Sequence, residues 1–84
     1  MKLTNGFWFT YILESEKDRK LYIGSTSDLE VRLKQHFSGN VKATKSRIPL
    51  KLVYFEACLS KKQTEKREKY FKTGFGRGFL KNRI

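Results

Sequence analysis

Cysteine and proline are almost missing from this chain: Cys58 and Pro49 are the only ones. A single cysteine excludes an intramolecular disulfide and a multi-thiolate metal cluster. Cys58 reads instead as a small buried side chain at a strand end. No Pro- or Gly-rich linker and no internal repeat divides the chain, so residues 1–84 are expected to form one domain. A long hydrophobic run is also lacking. The longest, Phe7 to Leu13, holds seven residues and is closed by Glu14. That is too short to span a bilayer, and no small-residue cleavage site follows it. These absences exclude a multidomain scaffold, a large cofactor-binding enzyme and a disulfide-stapled secreted domain. They point to a cytoplasmic protein in a reducing compartment.

Acidic side chains are scarce too, with 8 Asp+Glu against 19 Lys+Arg and a formal net charge of +11. The imbalance is uneven. Residues 1–40 hold 6 basic and 5 acidic side chains, whereas residues 41–84 hold 13 and 3. A half-molecule that positive attracts polyphosphate or an anionic membrane face. Membrane binding wants a basic helix with a continuous apolar face opposite. The helical segment 61–73 offers only Tyr70 and Phe71 as large apolar residues, so nucleic acid is the expected partner. Hydrophobic content of 38%, with 14% aromatic, is too high for a disordered basic tail. The chain should fold.

Phe7 to Leu13 is dense in aromatic and β-branched residues and reads as a strand buried on both faces. Ser15 to Lys20 is polar turn material, and Leu21-Tyr22-Ile23-Gly24 returns as the second strand of a hairpin. Ser27-Asp28-Leu29-Glu30 reads as a capping box, and Gly39 stands where a helix end wants a left-handed residue. The helix between them carries Leu29, Leu33 and Phe37 as its apolar stripe. At about 100° per residue His36 falls inside that stripe, and Arg32 lies at its edge one turn earlier. Residues 40–49 form a basic loop, and Leu50 to Ala57 a third strand. Ser60 with Gln63 opens a second helix that stops at Gly74, on which Thr64, Glu68 and Phe71 share a face. A short last helix, about 76 to 83, presents Phe79 and Leu80. The expected fold is α+β: a three-stranded antiparallel sheet flanked by helices, in the order β-β-α-β-α-α.

Five polar side chains are thereby turned inward: Tyr11, Tyr22, Arg32, His36 and Glu68. In the first strand Tyr11 shares a face with Phe9 and Leu13. In the second, Tyr22 shares a face with Gly24, whose missing side chain leaves room for a ligand or a backbone. The set suits phosphodiester hydrolysis. A lone carboxylate such as Glu68 can hold a Mg²⁺ that keeps most of its waters. Arg32 can fork onto phosphate oxygens. Either tyrosine, helped by His36, could activate water.

Tyr11 in Phe9-Thr10-Tyr11, then Tyr22-Ile23-Gly24, Arg32 eight residues after that glycine, His36 one turn later and Glu68 late in the chain resemble the GIY-YIG endonuclease superfamily. The resemblance covers about residues 7–83, and its strength lies in the ordered set rather than in any one motif. It is closest to compact stand-alone members related to the nuclease domain of the nucleotide-excision-repair incision subunit. The resemblance implies the GIY-YIG fold and DNA cleavage dependent on Mg²⁺ or Mn²⁺. It implies Tyr11 or Tyr22 as the base or water-positioning phenol, Arg32 as phosphate clamp, His36 as its helper and Glu68 as metal ligand. Asn82 is the one candidate for the Asn that often completes such a site. Two departures from the pattern stand out. Phe9-Thr10 replaces the Gly-Ile of the first motif, at strand positions without chemistry. Ser25 stands where some members carry Lys after the glycine, so a cationic phosphate contact is missing or comes from the basic loop.

Lys42, Lys45, Arg47, Lys61, Lys62, Arg67, Lys69, Lys72, Arg77, Lys81 and Arg83 supply more charge than one site needs. With no separate reading head, DNA binding of weak sequence preference and steep salt dependence is expected. Each residue also has a plain structural role open to it, Glu68 for instance as a surface pair with Lys72. Three readings follow: a small nuclease of repair, recombination or defence, a catalytically silent nucleic-acid-binding module of the same fold, or a subunit recruited to DNA by a repair or recombination protein. One site cuts one strand, so a monomer making nicks and a weak homodimer are both compatible with the sequence.

Overall fold

The structure is a computed structural model that describes residues 5–84, so the first four positions of the single domain expected over 1–84 lie outside the described residues. Three strands, β1 (Trp8–Ser15), β2 (Leu21–Thr26) and β3 (Leu50–Cys58), form one sheet in the order β2-β1-β3. Both pairings are antiparallel, with Tyr11 opposite Gly24 and Leu13 opposite Tyr22. On β3 an extra residue, Val53, is accommodated between the Ile12–Tyr54 and Leu13–Leu52 pairs. Helix α1 (Leu29–Phe37) follows β2, and α2 (Lys61–Phe71) and α3 (Gly74–Lys81) follow β3. A single 3₁₀ turn, Lys45–Arg47, interrupts the basic loop. The order is β-β-α-β-α-α, as expected.

β1 is central, so both of its faces are covered and it is nearly continuous in buried residues. Its alternation divides the core in two. Ile12 meets Ile23, Phe71 and Leu80 on the side of α2 and α3. Tyr11 and Leu13 meet Leu50, with Leu29 and Leu33 of α1 packed against them. The two cores are the two faces of one sheet, and Tyr11, a polar-tipped residue, sits at the centre of the second.

Several helix boundaries differ from the sequence reading. Asp28, not Ser27, caps α1, its Oδ1 accepting from the Val31 N–H at 3.2 Å. A carboxylate is the better partner there because it also faces the positive helix end. Phe37 is half exposed rather than part of the inward stripe, and His36 takes the buried place beside Leu29 and Leu33. Ser60 caps α2 as expected, accepting from Gln63 N–H at 3.1 Å, but that helix ends at Phe71 and Gly74 opens α3. Thr73 supplies the α3 cap. Gly39 has a φ of 79°, the left-handed residue that closes α1. Cys58 does stand at a strand end, but it is half-buried, near Thr64 Oγ1 at 3.1 Å.

Candidate active site

Tyr11 lies flat across its β2 partner because that partner is Gly24. A Cβ at Gly24 would fall 2.5 Å from the Tyr11 hydroxyl oxygen and 2.6 Å from Cζ, so only glycine leaves the phenol its place. Gly24→Ala is accordingly expected to cost about 1–3 kcal/mol, by overpacking against a ring with no free direction to move. A denaturant melt of the variant checks this.

The Tyr11 hydroxyl and His36 Nε2 are 2.8 Å apart, and His36 Nδ1 is 2.7 Å from Thr44 Oγ1. Tyr11, His36 and Thr44 are all buried to within 1% of full enclosure. Both imidazole nitrogens thus have a partner, which a neutral ring satisfies in either tautomer. Burial holds the imidazole neutral, aided by the positive charge of Arg32, and its pKa falls to about 4. Burial also raises the pKa of the Tyr11 phenol. The Arg32 guanidinium pulls it the other way, while Tyr22 and Glu68 add to the rise. At neutral pH Tyr11 therefore keeps its proton and His36 carries no charge.

Tyr22, half-buried, packs its ring against both, with centroids 6.4 Å from Tyr11 and 5.1 Å from His36. Arg32, one helical turn before His36, is half-buried and donates to Gln35 Oε1 at 3.0 Å. Glu68 comes from α2, on the other face of the sheet. Its Oε1 accepts from Ser25 Oγ at 2.8 Å and its Oε2 from Lys72 Nζ at 3.0 Å. β2 is an edge strand, so side chains from both faces meet around its Gly24-Ser25 step. Tyr11, Tyr22 and His36 pack together there, the Arg32 charge acts on the Tyr11 phenol, and Glu68 reaches the step from the other face through Ser25. A profile of the GIY-YIG catalytic domain matches residues 7–82 across this whole arrangement.

The chain belongs to the GIY-YIG family. That family is an endonuclease superfamily, generally dependent on a divalent metal, with DNA as substrate. Among curated proteins the GIY-YIG chain is similar to a UPF0213 protein of Clostridium perfringens, 46% identical over 65 residues that make up 76% of this chain and 69% of that one. It is 43% identical over 70 residues to a UPF0213 protein of Bacillus licheniformis, covering 82% and 70% of the two chains. The solution NMR structure of a UPF0213 protein from Bacillus halodurans superposes with a TM-score of 0.57 at 33% identity, covering 90% of this chain and 83% of that one.

In this GIY-YIG domain no group of three or more His, Cys, Asp or Glu side chains among the described residues could form a metal cage. The donor set suits a different kind of ion. Glu68 is a single, three-quarters-buried carboxylate beside a neutral hydroxyl, and Mg²⁺ is commonly held by one or two carboxylates together with substrate phosphates. The Lys72 pair on its second oxygen is more than half exposed on the lysine side. It is worth about 0.5 kcal/mol or less, so it yields readily to a divalent ion.

The remaining predicted residues are distributed differently. Asn82 is the exposed C-cap of α3 and makes no hydrogen bond to the cluster. Lys42, Lys45, Lys61, Lys62, Lys69, Arg77 and Lys81 are exposed, with Lys61 over the Trp8 ring at 5.2 Å. Arg67 is engaged elsewhere: it grips Glu56 with two bonds of 2.6 and 2.9 Å and lies over the Tyr70, Phe71 and Phe79 rings. Arg83 covers Phe79 at 4.2 Å. Thr44 was not singled out from the sequence, since a loop threonine carries no mark of its tertiary partner. Ser25 stands in the sequence only as the place of an absent lysine, whereas its hydroxyl donates to the Glu68 carboxylate. No helix among the described residues is long and apolar enough to cross a membrane.

Proposed function

We propose that this chain is a DNA endonuclease of low sequence specificity, dependent on Mg²⁺ or Mn²⁺, that acts in DNA repair, recombination or defence. The observation that supports this reading is that Glu68 is bound to Ser25 from one face of the sheet, next to Gly24, against which Tyr11 packs from the other together with Tyr22 and His36. Glu68 would hold the metal ion, which when bound supplies Lewis-acid stabilisation of the phosphate charge. Arg32 offers a fork of N–H donors to the non-bridging oxygens and offsets charge that grows there as water attacks phosphorus. Water adds to phosphorus and gives up a proton to solvent, the ester P–O bond breaks, and the released oxygen takes up a proton from solvent.

Tyr22 is the less buried of the two phenols, and its hydroxyl would orient that water. Tyr11, enclosed and kept protonated, is a positioning residue. Bonded to His36, it fixes the surface against which Tyr22 packs. His36 is likewise bound to Thr44, so the helper role suggested by the sequence becomes one of orientation. Tyr22→Phe is expected to lower the rate about 10²-fold while leaving the melting temperature within a degree or two. Parallel single-turnover kinetics and thermal melts check both halves.

The test of the function itself is nicking of supercoiled plasmid by purified protein in Mg²⁺ or Mn²⁺, beside EDTA. Metal-dependent nicking supports the nuclease. DNA binding without cleavage in either metal would move the reading to a silent module, which the engagement of both Glu68 oxygens by Ser25 and Lys72 favours.

A further inference from the structure

A second concentration of charge lies away from the cluster, at the hairpin end of β2. Arg19 and Lys20 of the β1–β2 connection, Leu21 at the start of β2, Arg47 of the 3₁₀ turn, and Arg77 and Lys81 of α3 line an open cleft of about 640 Å³. Three separate segments of the chain thus deliver five cations to one place. Like charges so gathered repel one another, and Arg77 and Lys81, one turn apart on α3, destabilise their own helix slightly. Neighbouring acids offset this only in part. Glu14 meets Arg19 at 3.3 Å, and Asp18 accepts the backbone N–H of Lys20 at 2.9 Å with the Arg47 charge nearby. Lys20, Arg47, Arg77 and Lys81 have no ion pair among the described residues.

Arg47 gives the cleft its direction. Its Nη2 is sealed from solvent with no hydrogen-bond partner among the described residues. A buried guanidinium N–H without an acceptor leaves the Arg47 charge poorly compensated, so an anion in the cleft gains from its field rather than from a bond to Nη2. The arginine is also held in place. Its backbone N–H donates to the Thr44 carbonyl at 2.9 Å, its own carbonyl accepts from Ser15 Oγ at 2.7 Å, and Thr44 is the residue that anchors His36. Arg19 occupies the left-handed region, with φ of 63°, where a turn would favour Gly or Asn.

We infer that this cleft is a second phosphate-binding site, which takes a backbone phosphate of the nucleic-acid strand engaged at the Gly24-Ser25 step. Leu21 is three residues from Gly24 along β2, on the order of 10 Å, which puts the two places within reach of nearby phosphates of one strand. The inference deepens the nucleic-acid part of the proposed function and rests on it, but it does not require cleavage.

Binding of a short labelled duplex, followed by anisotropy in EDTA over a range of salt, tests it. The informative variant is Arg77→Gln/Lys81→Gln, both exposed and without an ion pair among the described residues. The control is Lys51→Gln/Lys66→Gln, which removes the same charge from exposed positions elsewhere. The cleft variant should bind at least about fivefold more weakly than the control and lower the slope of log K against log salt by about 1. Equal weakening by both variants, or by neither, would overturn the site. Titration with inorganic phosphate forms a second arm, read from the amide resonances of residues 19–21 and 47. Phosphate that shifts them in a protein whose duplex affinity ignores the cleft variant would make the ligand free phosphate, and the nucleic-acid assignment would fall. Absence of plasmid nicking with duplex binding intact would count against the nuclease reading alone.

Discussion

Glu68→Gln should abolish metal-dependent cleavage, by about 10³-fold or more, while leaving DNA affinity in EDTA unchanged or slightly higher. The substitution keeps the shape of the side chain and an oxygen to accept from Ser25 Oγ, so the fold has little to lose. It removes the one carboxylate charge at the Gly24-Ser25 step, and a site with a single protein ligand has no second donor to compensate. The loss corresponds to about 4 kcal/mol of barrier, at 1.36 kcal/mol per tenfold. Affinity should not fall because the side chain lost is the one that repels phosphate. Nicking rates and anisotropy titrations on the same preparation separate the two effects. A variant that cuts at the native rate would show that the metal is held elsewhere.

The second large effect is an acid instability traceable to His36. It is the only histidine in the chain, and it is fully enclosed. Its pKa is about 4 in the folded protein, against about 6.5 when unfolded. Between those values the unfolded chain binds a proton that the native chain refuses. Stability is therefore complete above pH 6.5, falls as the pH is lowered from 6.5 to about 4, and loses nothing further to this group below that. The full loss is on the order of 3 kcal/mol, a large share of what a domain of this size possesses. Denaturant midpoints measured from pH 7.5 to 4 should decline accordingly. In His36→Ala the midpoint should start lower, with the Tyr11 and Thr44 hydroxyls left without the ring, and vary much less over that interval. Should this variant not fold, the ring resonances of the native protein still decide the matter. A His36 that titrates near 6.5 in the folded state would refute the prediction.

Much of this arrangement was open to reading in the residues themselves, for reasons that can be named. Helical periodicity turns His36 inward, and strand alternation puts Tyr11 on the face of Phe9 and Leu13 and Tyr22 on the face of Gly24. What it could not decide was which of two adjacent residues, His36 or Phe37, owns the buried position. The ring with two hydrogen-bond partners took it, and the phenylalanine was left half exposed. Helix starts were legible to within a residue or two, because Ser27 and Asp28 are both good caps. The site's supporting residues were less legible. Thr44 and Ser25 owe their importance to partners 8 and 43 positions away, and no local pattern encodes such separations. The charge census pointed to the second half of the chain. Charge distribution along the chain does not show that the hairpin carries Arg19 and Lys20 round to Arg47, or that aromatic rings occupy Arg67 and Arg83.

The most direct test of the central claim is to locate a divalent ion in solution. With an uncleavable phosphorothioate oligonucleotide bound, Mn²⁺ should broaden the amide resonances of Tyr22 to Thr26 and those around Glu68, and this broadening should vanish in Glu68→Gln. Broadening centred instead on the exposed acids Asp28 and Glu30 at the start of α1, or unaltered by the substitution, would contradict the assignment of the metal to Glu68 and with it the mechanism.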